Sequence, residues 1–201
     1  MSEKPSYEEQ FDTTISRRSR RERRNNASKK SGGGVLEFLI ILLVSFVLVF
    51  GFVRPFVVEA FWIPSASMVP TLKYGDRVLV NKFIYRFTEP QRGDIIVFKS
   101  VEGDGQDLIK RVVGVPGDEI AVRGGTLFVN GEPQKESYVN KKFPDRSFYA
   151  PTTVPKDHVF AMGDNRANSQ DSRVFGPVPE QNIEGEAFLR FWPPDRIGGL
   201  L

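Results

Sequence analysis

The stretch LIKRVVGVPGDEIAVRGGTLFVNGE, residues 108–132, consists of short runs of Val, Ile and Leu separated by Gly, Pro, Asn and Asp. Apolar runs of about four to eight residues between turn formers predict β-strands. The dipeptides Gly124-Gly125 and Asn130-Gly131 favour tight hairpin turns. The stretch therefore predicts consecutive antiparallel strands joined by short turns.

The same pattern continues on both sides of this stretch. Further apolar runs bounded by turn residues read DRVLVNKFIY, GDIIVF, DHVFAMGD and GEAFLRFW. No stretch from residue 55 onward shows a sustained helical period or an internal repeat. We therefore predict that residues 55–201 form one mostly β domain, built on an antiparallel β-sheet.

An apolar segment precedes this domain. Residues 35–53 read VLEFLIILLVSFVLVFGFV, with Glu37 and Ser45 as the only polar residues. At about 1.5 Å per residue, a helix of this length approaches the roughly 30 Å of a hydrocarbon core. The pattern predicts one transmembrane helix over residues 35–54.

Two other interpretations of the apolar segment are open. A buried helix of a soluble protein normally has one polar face, and this segment has none. A cleavable signal peptide would use Val58 and Ala60 as the small residues before the cut. The apolar run is longer than a usual signal core, and that cut would leave Ser67 close to a frayed end.

The basic character of the chain belongs to its N-terminal tail. Residues 1–34 hold nine Lys/Arg and five Asp/Glu, a net of +4, whereas the rest holds nineteen against twenty, a net of −1. The tail is too polar to bury a core and is expected to be disordered. The positive-inside rule then predicts a cytoplasmic N-terminus and places the β domain on the extracytoplasmic side of the cell membrane, with a single pass through it. A nucleic-acid partner is not expected, because the domain carries no net positive charge.

Residue composition narrows the chemistry. The chain has no cysteine and one histidine, His158. This excludes a disulfide framework, a thiol nucleophile and a thiolate metal site. No acidic loop has the spacing of a hard-cation site, so neither a metal nor another cofactor is expected.

Ser67 is the candidate nucleophile, and Lys110 is the candidate base. Ser67 lies between Pro64 and Pro70, which exclude an ordinary helix or central strand. In a strand, Lys110 would share an apolar face with its neighbours, and burial would lower its pKa enough for it to act as a base. His158 is the competing base, with Asp164 or Asp171 as the orienting carboxylate.

Five segments resemble the motifs of bacterial type I signal peptidases. They are PSASMVPTL at 64–72, GDRVLVNKF at 75–83, RGDIIVF at 92–98, IKRVVGVPGD at 109–118 and MGDNRANSQDSR at 162–173. The resemblance covers residues 35–201. The short connection between Asp118 and His158 indicates the compact form with one membrane span. Ala167 departs from the acidic or amide residue common at that position.

The resemblance implies roles for particular residues. Ser67 would be the nucleophile of a serine endopeptidase and Lys110 its general base, working through an acyl-enzyme. The Ser65 hydroxyl and the Ser67 backbone N–H would form the oxyanion hole. Ser169 would hydrogen-bond the Lys110 amine. Two supporting ion pairs are implied as well, Asp171 with Arg173 and Arg111 with Asp164.

The implied substrates are exported preproteins that carry N-terminal signal peptides, with small residues at the first and third positions before the cut. An extended peptide would add alongside an exposed strand. The expected pocket walls are Phe61, Ile63, Met68, Leu72, Leu108 and Ile109. Two alternatives remain open: a Ser/Lys peptidase of the self-cleaving repressor kind, which the membrane span disfavours, and an anchored β module that binds partners without catalysis.

Aromatic residues predict contact between the exported domain and the lipid bilayer. Such side chains favour the membrane interface because one end is apolar and the other tolerates water. The alternative is that they form the β core. The residues concerned are Phe56, Phe61, Trp62, Phe191 and Trp192.

Overall fold

The computed structural model describes residues 33–53, 57–140 and 142–200. The chain divides into two compact units, one ending at Phe52 and the other beginning at Val53. The tail that the sequence predicts to be disordered lies outside the described residues, apart from Gly33 and Gly34.

In the first unit, the described residues form one helix. Helix α1 spans Gly33–Leu48, and a π-helical stretch, Val49–Val53, continues it. Within it, the 18 residues Gly34–Gly51 have a mean hydropathy of 2.7, and none of them is buried. At the rise of an α-helix they extend about 27 Å. Their length and composition are those that a membrane-spanning helix requires.

The second unit is built on an eight-stranded antiparallel sheet. Its strands follow the order β1-β2-β11-β3-β4-β9-β10, and β12 pairs with β11. This architecture confirms the predicted fold class. The strands are β1 (Val58–Trp62), β2 (Arg77–Asn81), β3 (Ile95–Lys99), β4 (Asp107–Gly114), β9 (His158–Met162), β10 (Val178–Pro179), β11 (Ile183–Trp192) and β12 (Gly198–Gly199).

A second, four-stranded sheet has the order β7-β6-β5-β8. Its strands are β5 (Glu119–Arg123), β6 (Thr126–Val129), β7 (Glu132–Pro133) and β8 (Tyr149–Thr153). Gly124 and Gly125 join β5 to β6 with φ values of 56° and 79°, and Asn130 and Gly131 join β6 to β7 with 53° and 82°. Positive φ at both turn residues fits type I′ hairpins, so both predicted turns are confirmed.

Four edge strands, β1, β8, β10 and β12, and one short helix were not predicted. Strand β1 pairs only with β2, and β8, which contains Pro151, pairs only with β5. Each forms because a neighbouring strand pairs with it, and its own residues carry no clear strand pattern. Helix α2, Ser172–Phe175, is a single turn capped by the Asp171 side chain.

Strand β4 runs through the core with both of its faces covered. Ile109 belongs to one buried cluster, Val113 to a second and Val112 to a third. Near-complete burial from Ile109 to Gly114 means that any side chain in this part of the strand is removed from water. The polar side chain of Lys110 is therefore carried into the interior.

Candidate active site

Ser67 lies in the serine turn, residues 65–72, which packs against the core. Met68 and Leu72 are fully buried, and the Leu72 N–H donates to the Met68 carbonyl at 2.9 Å. Ser67 itself is 7% exposed. Ser65 and Ala66 before it are exposed and Met68 after it is buried, so Ser67 lies where the exposed part of the turn meets the core.

The structure brings Ser67 and Lys110 together. Lys110 Nζ donates to Ser67 Oγ at 2.9 Å and to the Ile109 carbonyl at 3.0 Å. Lys110 is 4% exposed. Burial lowers the pKa of Lys110 from 10.5 to about 8, although the negative charge of Asp171 opposes the change. A lysine with such a pKa is partly neutral near physiological pH and is able to accept a proton.

Ser65 and Ser67 are placed side by side. Their hydroxyl oxygens lie 3.2 Å apart, and Ser65 is exposed. A hydroxyl at this distance from Ser67 Oγ is close enough to act on a carbonyl that Ser67 attacks, and its role as an oxyanion-hole donor stays a prediction.

The contact predicted for Ser169 is not formed. Ser169 Oγ is buried without a hydrogen-bond partner within the described residues, whereas Lys110 Nζ bonds Ser67 and the Ile109 carbonyl. Ser169 lies against Gly163, where an added Cβ would be 2.3 Å from Ser169 Oγ. The absence of a side chain at position 163 lets the hydroxyl approach the serine turn without reaching the amine.

Asp171 and Arg173 form a buried ion pair beside the lysine. Arg173 donates to the two Asp171 oxygens from Nε at 2.8 Å and from Nη2 at 2.9 Å, and the Gly163 N–H donates to Asp171 at 3.0 Å. Burial acts to raise the pKa of Asp171, but the hydrogen bond and charge of Arg173 outweigh it and lower that pKa. Asp171 therefore stays ionised, and its negative charge limits how far burial lowers the pKa of Lys110.

Arg111 and Asp164 form the second predicted pair. Arg111 donates to Asp164 from Nε at 3.0 Å and from Nη2 at 2.9 Å, and both side chains are buried. Thr71 Oγ1 donates to the same carboxylate at 2.5 Å. The pair therefore links β4 to the end of the serine turn.

Several supporting residues were missed by the sequence analysis. The Asn165 backbone N–H donates to the Ser67 carbonyl at 2.9 Å, and its side chain donates to the Ala66 carbonyl at 3.1 Å. Asn165 lies in the quoted 162–173 motif, so its position was a detectable signal. Asp145 accepts from Arg173 at 2.8 Å, and nothing in its local sequence indicates this role.

A pocket of about 200 Å³ lies beside the serine turn. Four of the predicted wall residues line it, but Met68 and Leu72 do not. Both residues are fully buried and pack with Val78 and Val80, so their place in a substrate pocket stays a prediction. The lining residues are Phe61, Trp62, Ile63, Pro64, Val97, Asp107, Leu108 and Ile109.

His158 is not brought to the serine. It begins β9, four residues before Met162, which pairs with Arg111. At about 3.4 Å per residue, this places His158 about 14 Å along the strand from Met162. Its Nδ1 lies 2.8 Å from the Lys156 carbonyl. Asp164 and Asp171, the carboxylates considered as its partners, form ion pairs with arginines instead.

Across residues 33–53, 57–140 and 142–200, no group of three or more His, Cys, Asp or Glu side chains could hold a metal ion.

Comparison with known proteins places this geometry in a family. The family described as signal peptidase, peptidase S26, matches residues 35–192. A signal peptidase I of Leptolyngbya laminosa is 47% identical over 163 residues, covering 78% of this chain and 79% of the relative. Signal peptidase IB of Staphylococcus aureus (strain COL) is 38% identical over 176 residues, covering 79% and 90%.

Among solved structures, a signal peptidase I of Enterococcus faecalis V583 is 36% identical, with a TM-score of 0.44, over 49% of this chain and 97% of that one. The family match covers most of the chain, and it includes both the serine turn and the lysine strand. The chain therefore belongs to the signal peptidase family, peptidase S26.

Proposed function

We propose that this chain is a membrane-anchored serine endopeptidase that removes N-terminal signal peptides from exported preproteins with a Ser67/Lys110 dyad. The observation that carries the proposal is the 2.9 Å contact between Lys110 Nζ and Ser67 Oγ in a site where burial holds the lysine pKa at about 8. A serine hydroxyl becomes an effective nucleophile only when a base takes its proton.

The reaction follows from this pair. Neutral Lys110 takes the Ser67 proton while Ser67 Oγ attacks the scissile carbonyl. The Ser65 hydroxyl and the Ser67 N–H stabilise the developing oxyanion, each donor contributing roughly 3 kcal/mol. Lys110 then gives its proton to the leaving amine, and an acyl-enzyme remains. The same amine takes a proton from water while the water oxygen attacks the ester carbonyl. The bond from this carbon to Ser67 Oγ then breaks, Ser67 Oγ takes the proton back from Lys110, and the new carboxyl end of the signal peptide is released and ionises.

The substrate would bind as an extended strand. Strand β1 is the outermost strand of the large sheet, and no other described strand pairs with its outer edge, so a peptide could pair with the backbone groups there. The pocket next to Ser67 lies between residues of β1 and β4, including Phe61 and Leu108, and its small volume favours short apolar side chains.

The anchor and its orientation complete the proposal. Helix α1 has the length and composition of a membrane span, and the basic residues precede it. Positive charge is retained on the cytoplasmic side, which would place residues 55–201 on the extracytoplasmic side. The preproteins that reach the catalytic domain would then be those already crossing the membrane.

Replacing Ser67 with alanine tests the proposal. We expect preprotein cleavage to fall by at least about 10³-fold, because no other hydroxyl among residues 33–53, 57–140 and 142–200 receives a hydrogen bond from Lys110. The measurement is cleavage of a purified preprotein by the full chain in detergent. Ser100→Ala, which removes another nearly buried serine hydroxyl away from the lysine, should retain activity. A Ser67→Ala chain that cleaves normally would point to another nucleophile. A wild-type chain that binds preprotein without cleaving it would favour the binding module.

We also propose that one end of the large sheet contacts the bilayer. Trp62 and Trp192 both pair with Arg77, from opposite sides, so the three residues form one row across β1, β2 and β11. The two tryptophans are 51% and 48% exposed. Phe61 instead packs against the core, Phe191 is half-buried, and Phe56 lies outside the described residues.

Vesicle sedimentation of residues 55–201 checks this surface. We expect a bound fraction on phosphatidylethanolamine/phosphatidylglycerol vesicles that falls at least about threefold when both tryptophans are changed to serine, since each loses its interfacial burial. The matched control changes Phe87 and Phe148, which are each 74% exposed, to serine and should leave binding unchanged. The surface is wrongly assigned if the unaltered domain stays in the supernatant or if the two double variants behave alike.

A further inference from the structure

The segment Glu136–Asn140 connects β7 to β8 and lies against the 163–173 loop. It lines neither the pocket next to Ser67 nor the serine turn. It nevertheless contacts two buried arginines. Arg111 follows Lys110 in the chain, and Arg166 follows Asn165, whose N–H bonds the Ser67 carbonyl. No feature of the sequence ESYVN suggested such a role.

Glu136 makes a two-pronged ion pair with Arg166. The guanidinium donates from Nη1 at 2.8 Å and from Nη2 at 2.5 Å to the two carboxylate oxygens. The Tyr138 hydroxyl donates to the same carboxylate at 2.8 Å. Arg166 is 2% exposed, so Glu136 is the acidic partner that balances a charge removed from water.

Arg166 is connected to the serine by its neighbours. Its Nε donates to the Gly163 carbonyl at 3.0 Å, which closes the loop on itself. The preceding residue, Asn165, holds the Ser67 and Ala66 carbonyls. The Arg166 carbonyl accepts from Arg173 at 2.7 Å. Arg166 therefore joins the backbone support of the nucleophile to the arginine that pairs with Asp171.

Tyr138 and Asn140 support the other arginine pair. The Arg111 guanidinium carbon lies 4.2 Å from the centroid of the Tyr138 ring, within the range of a cation–π contact. The Asn140 N–H donates to the Asp164 carbonyl at 3.0 Å. The same short segment thus contacts both Arg111 and the backbone of its partner.

From these contacts we propose that Glu136 and Tyr138 are positioning residues for peptide-bond cleavage. They hold Arg166 and Arg111, and through Asn165 they keep the Ser67 backbone in register with Lys110. The inference rests on the proposed Ser67/Lys110 chemistry. Small displacements of reacting groups strongly reduce the rate, even when they arise away from the reacting atoms. Because the segment does not line the pocket, its loss should reduce kcat and leave KM nearly unchanged.

The test measures kcat and KM of the full chain in detergent on one purified preprotein. We expect Glu136→Gln to lower kcat by about tenfold or more, with KM within about twofold of wild type. Asp118→Asn is the matched control: it also removes a buried carboxylate paired with an arginine, Arg92, but Asp118 makes no bond to the 163–173 loop. Its kcat should stay within about twofold of wild type.

Tyr138→Phe is a smaller change that keeps the test informative if Glu136→Gln does not fold. It keeps the ring on Arg111 and removes only the hydroxyl donated to Glu136, so kcat should fall about threefold. A merely structural role predicts that each variant loses activity only in proportion to its folded fraction, followed by circular dichroism. The inference is overturned if kcat, corrected for that fraction, is the same in Glu136→Gln, Tyr138→Phe and Asp118→Asn.

A double-mutant cycle tests the route through Arg166. If Glu136 acts through this arginine, Glu136→Gln combined with Arg166→Gln should be no slower than Arg166→Gln alone. Independent, multiplied losses in kcat would contradict that route. Ser67→Ala in the same assay distinguishes failure of the proposed chemistry from failure of the positioning role. If Ser67→Ala stays active, the Ser67/Lys110 chemistry is wrong. If Ser67→Ala is inactive and Glu136→Gln has normal kcat, only the positioning role is wrong.

Discussion

Lys110→Met is expected to abolish preprotein cleavage, with a loss of about 10⁴-fold, in a chain that remains folded. Methionine fills a similar volume and suits the buried position, but it has no amine to accept the Ser67 proton. The 2.9 Å contact from Lys110 Nζ is the only hydrogen bond to Ser67 Oγ from a basic group among the described residues. His158→Ala should stay within about twofold of wild type, because His158 lies at the far end of β9.

The two variants are compared by initial cleavage rates, with circular dichroism as the check on folding. A histidine-based triad makes the opposite prediction: Lys110→Met would keep substantial turnover, and His158→Ala would lose it by orders of magnitude while staying folded. That result would replace the lysine with the histidine as the base.

The pH dependence of cleavage distinguishes the two bases independently. Lys110 acts as a base only when neutral, so kcat/KM should rise with pH and level off above its pKa of about 8. At pH 7 about one Lys110 side chain in ten is neutral, against about one in 2,500 for an ordinary lysine with a pKa near 10.4. A histidine base would instead give a plateau beginning near pH 6.5.

Asp164→Asn is expected to cause the largest loss of stability, about 3 kcal/mol in the free energy of unfolding. The substitution leaves the buried Arg111 guanidinium without its carboxylate, and Thr71 Oγ1 loses a charged acceptor. The Gly93 carbonyl and the Tyr138 ring still contact Arg111, which limits the cost. Urea unfolding of the full chain in detergent, followed by tryptophan fluorescence, measures the change.

Glu59→Gln is the control for this loss. It breaks the exposed ion pair between Glu59 and Lys82, and such pairs contribute about 0–1 kcal/mol. A second comparison changes Arg111 to Met and Asp164 to Leu together. If the unpaired charge causes the loss, the double variant should be more stable than Asp164→Asn. Equal losses in all three variants would mean that the buried pair is not the source.

The fold class followed from local patterns, and the structure confirms it. Short Val- and Ile-rich runs form strands, and Gly124-Gly125 and Asn130-Gly131 adopt the positive φ values that a two-residue hairpin requires. These signals are reliable because a turn depends mainly on its own residues. The apolar helix was equally predictable, since spanning a bilayer is a requirement on length and composition. The strands β1 and β8 were missed because each depends on pairing with a distant partner.

In the candidate site too, the sequence identified residues, and only the tertiary structure determined their contacts. The residue types around Ser67 and Lys110 identified the two candidates, but their 2.9 Å contact joins residues 43 positions apart. Only the packing of the serine turn against β4 creates it, and only burial within that packing lowers the lysine pKa.

Packing also decided contacts that the motif alone could not specify. Met68 and Leu72 pack in the core and do not line the pocket formed by Phe61 and Leu108, and Ser169 Oγ lies against Gly163 without a hydrogen bond to Lys110. Glu136 meets Arg166 across 30 positions of chain. Local sequence states which side chains are available for such contacts, whereas the distance between them depends on how two sheets and a loop pack, a property of the whole domain.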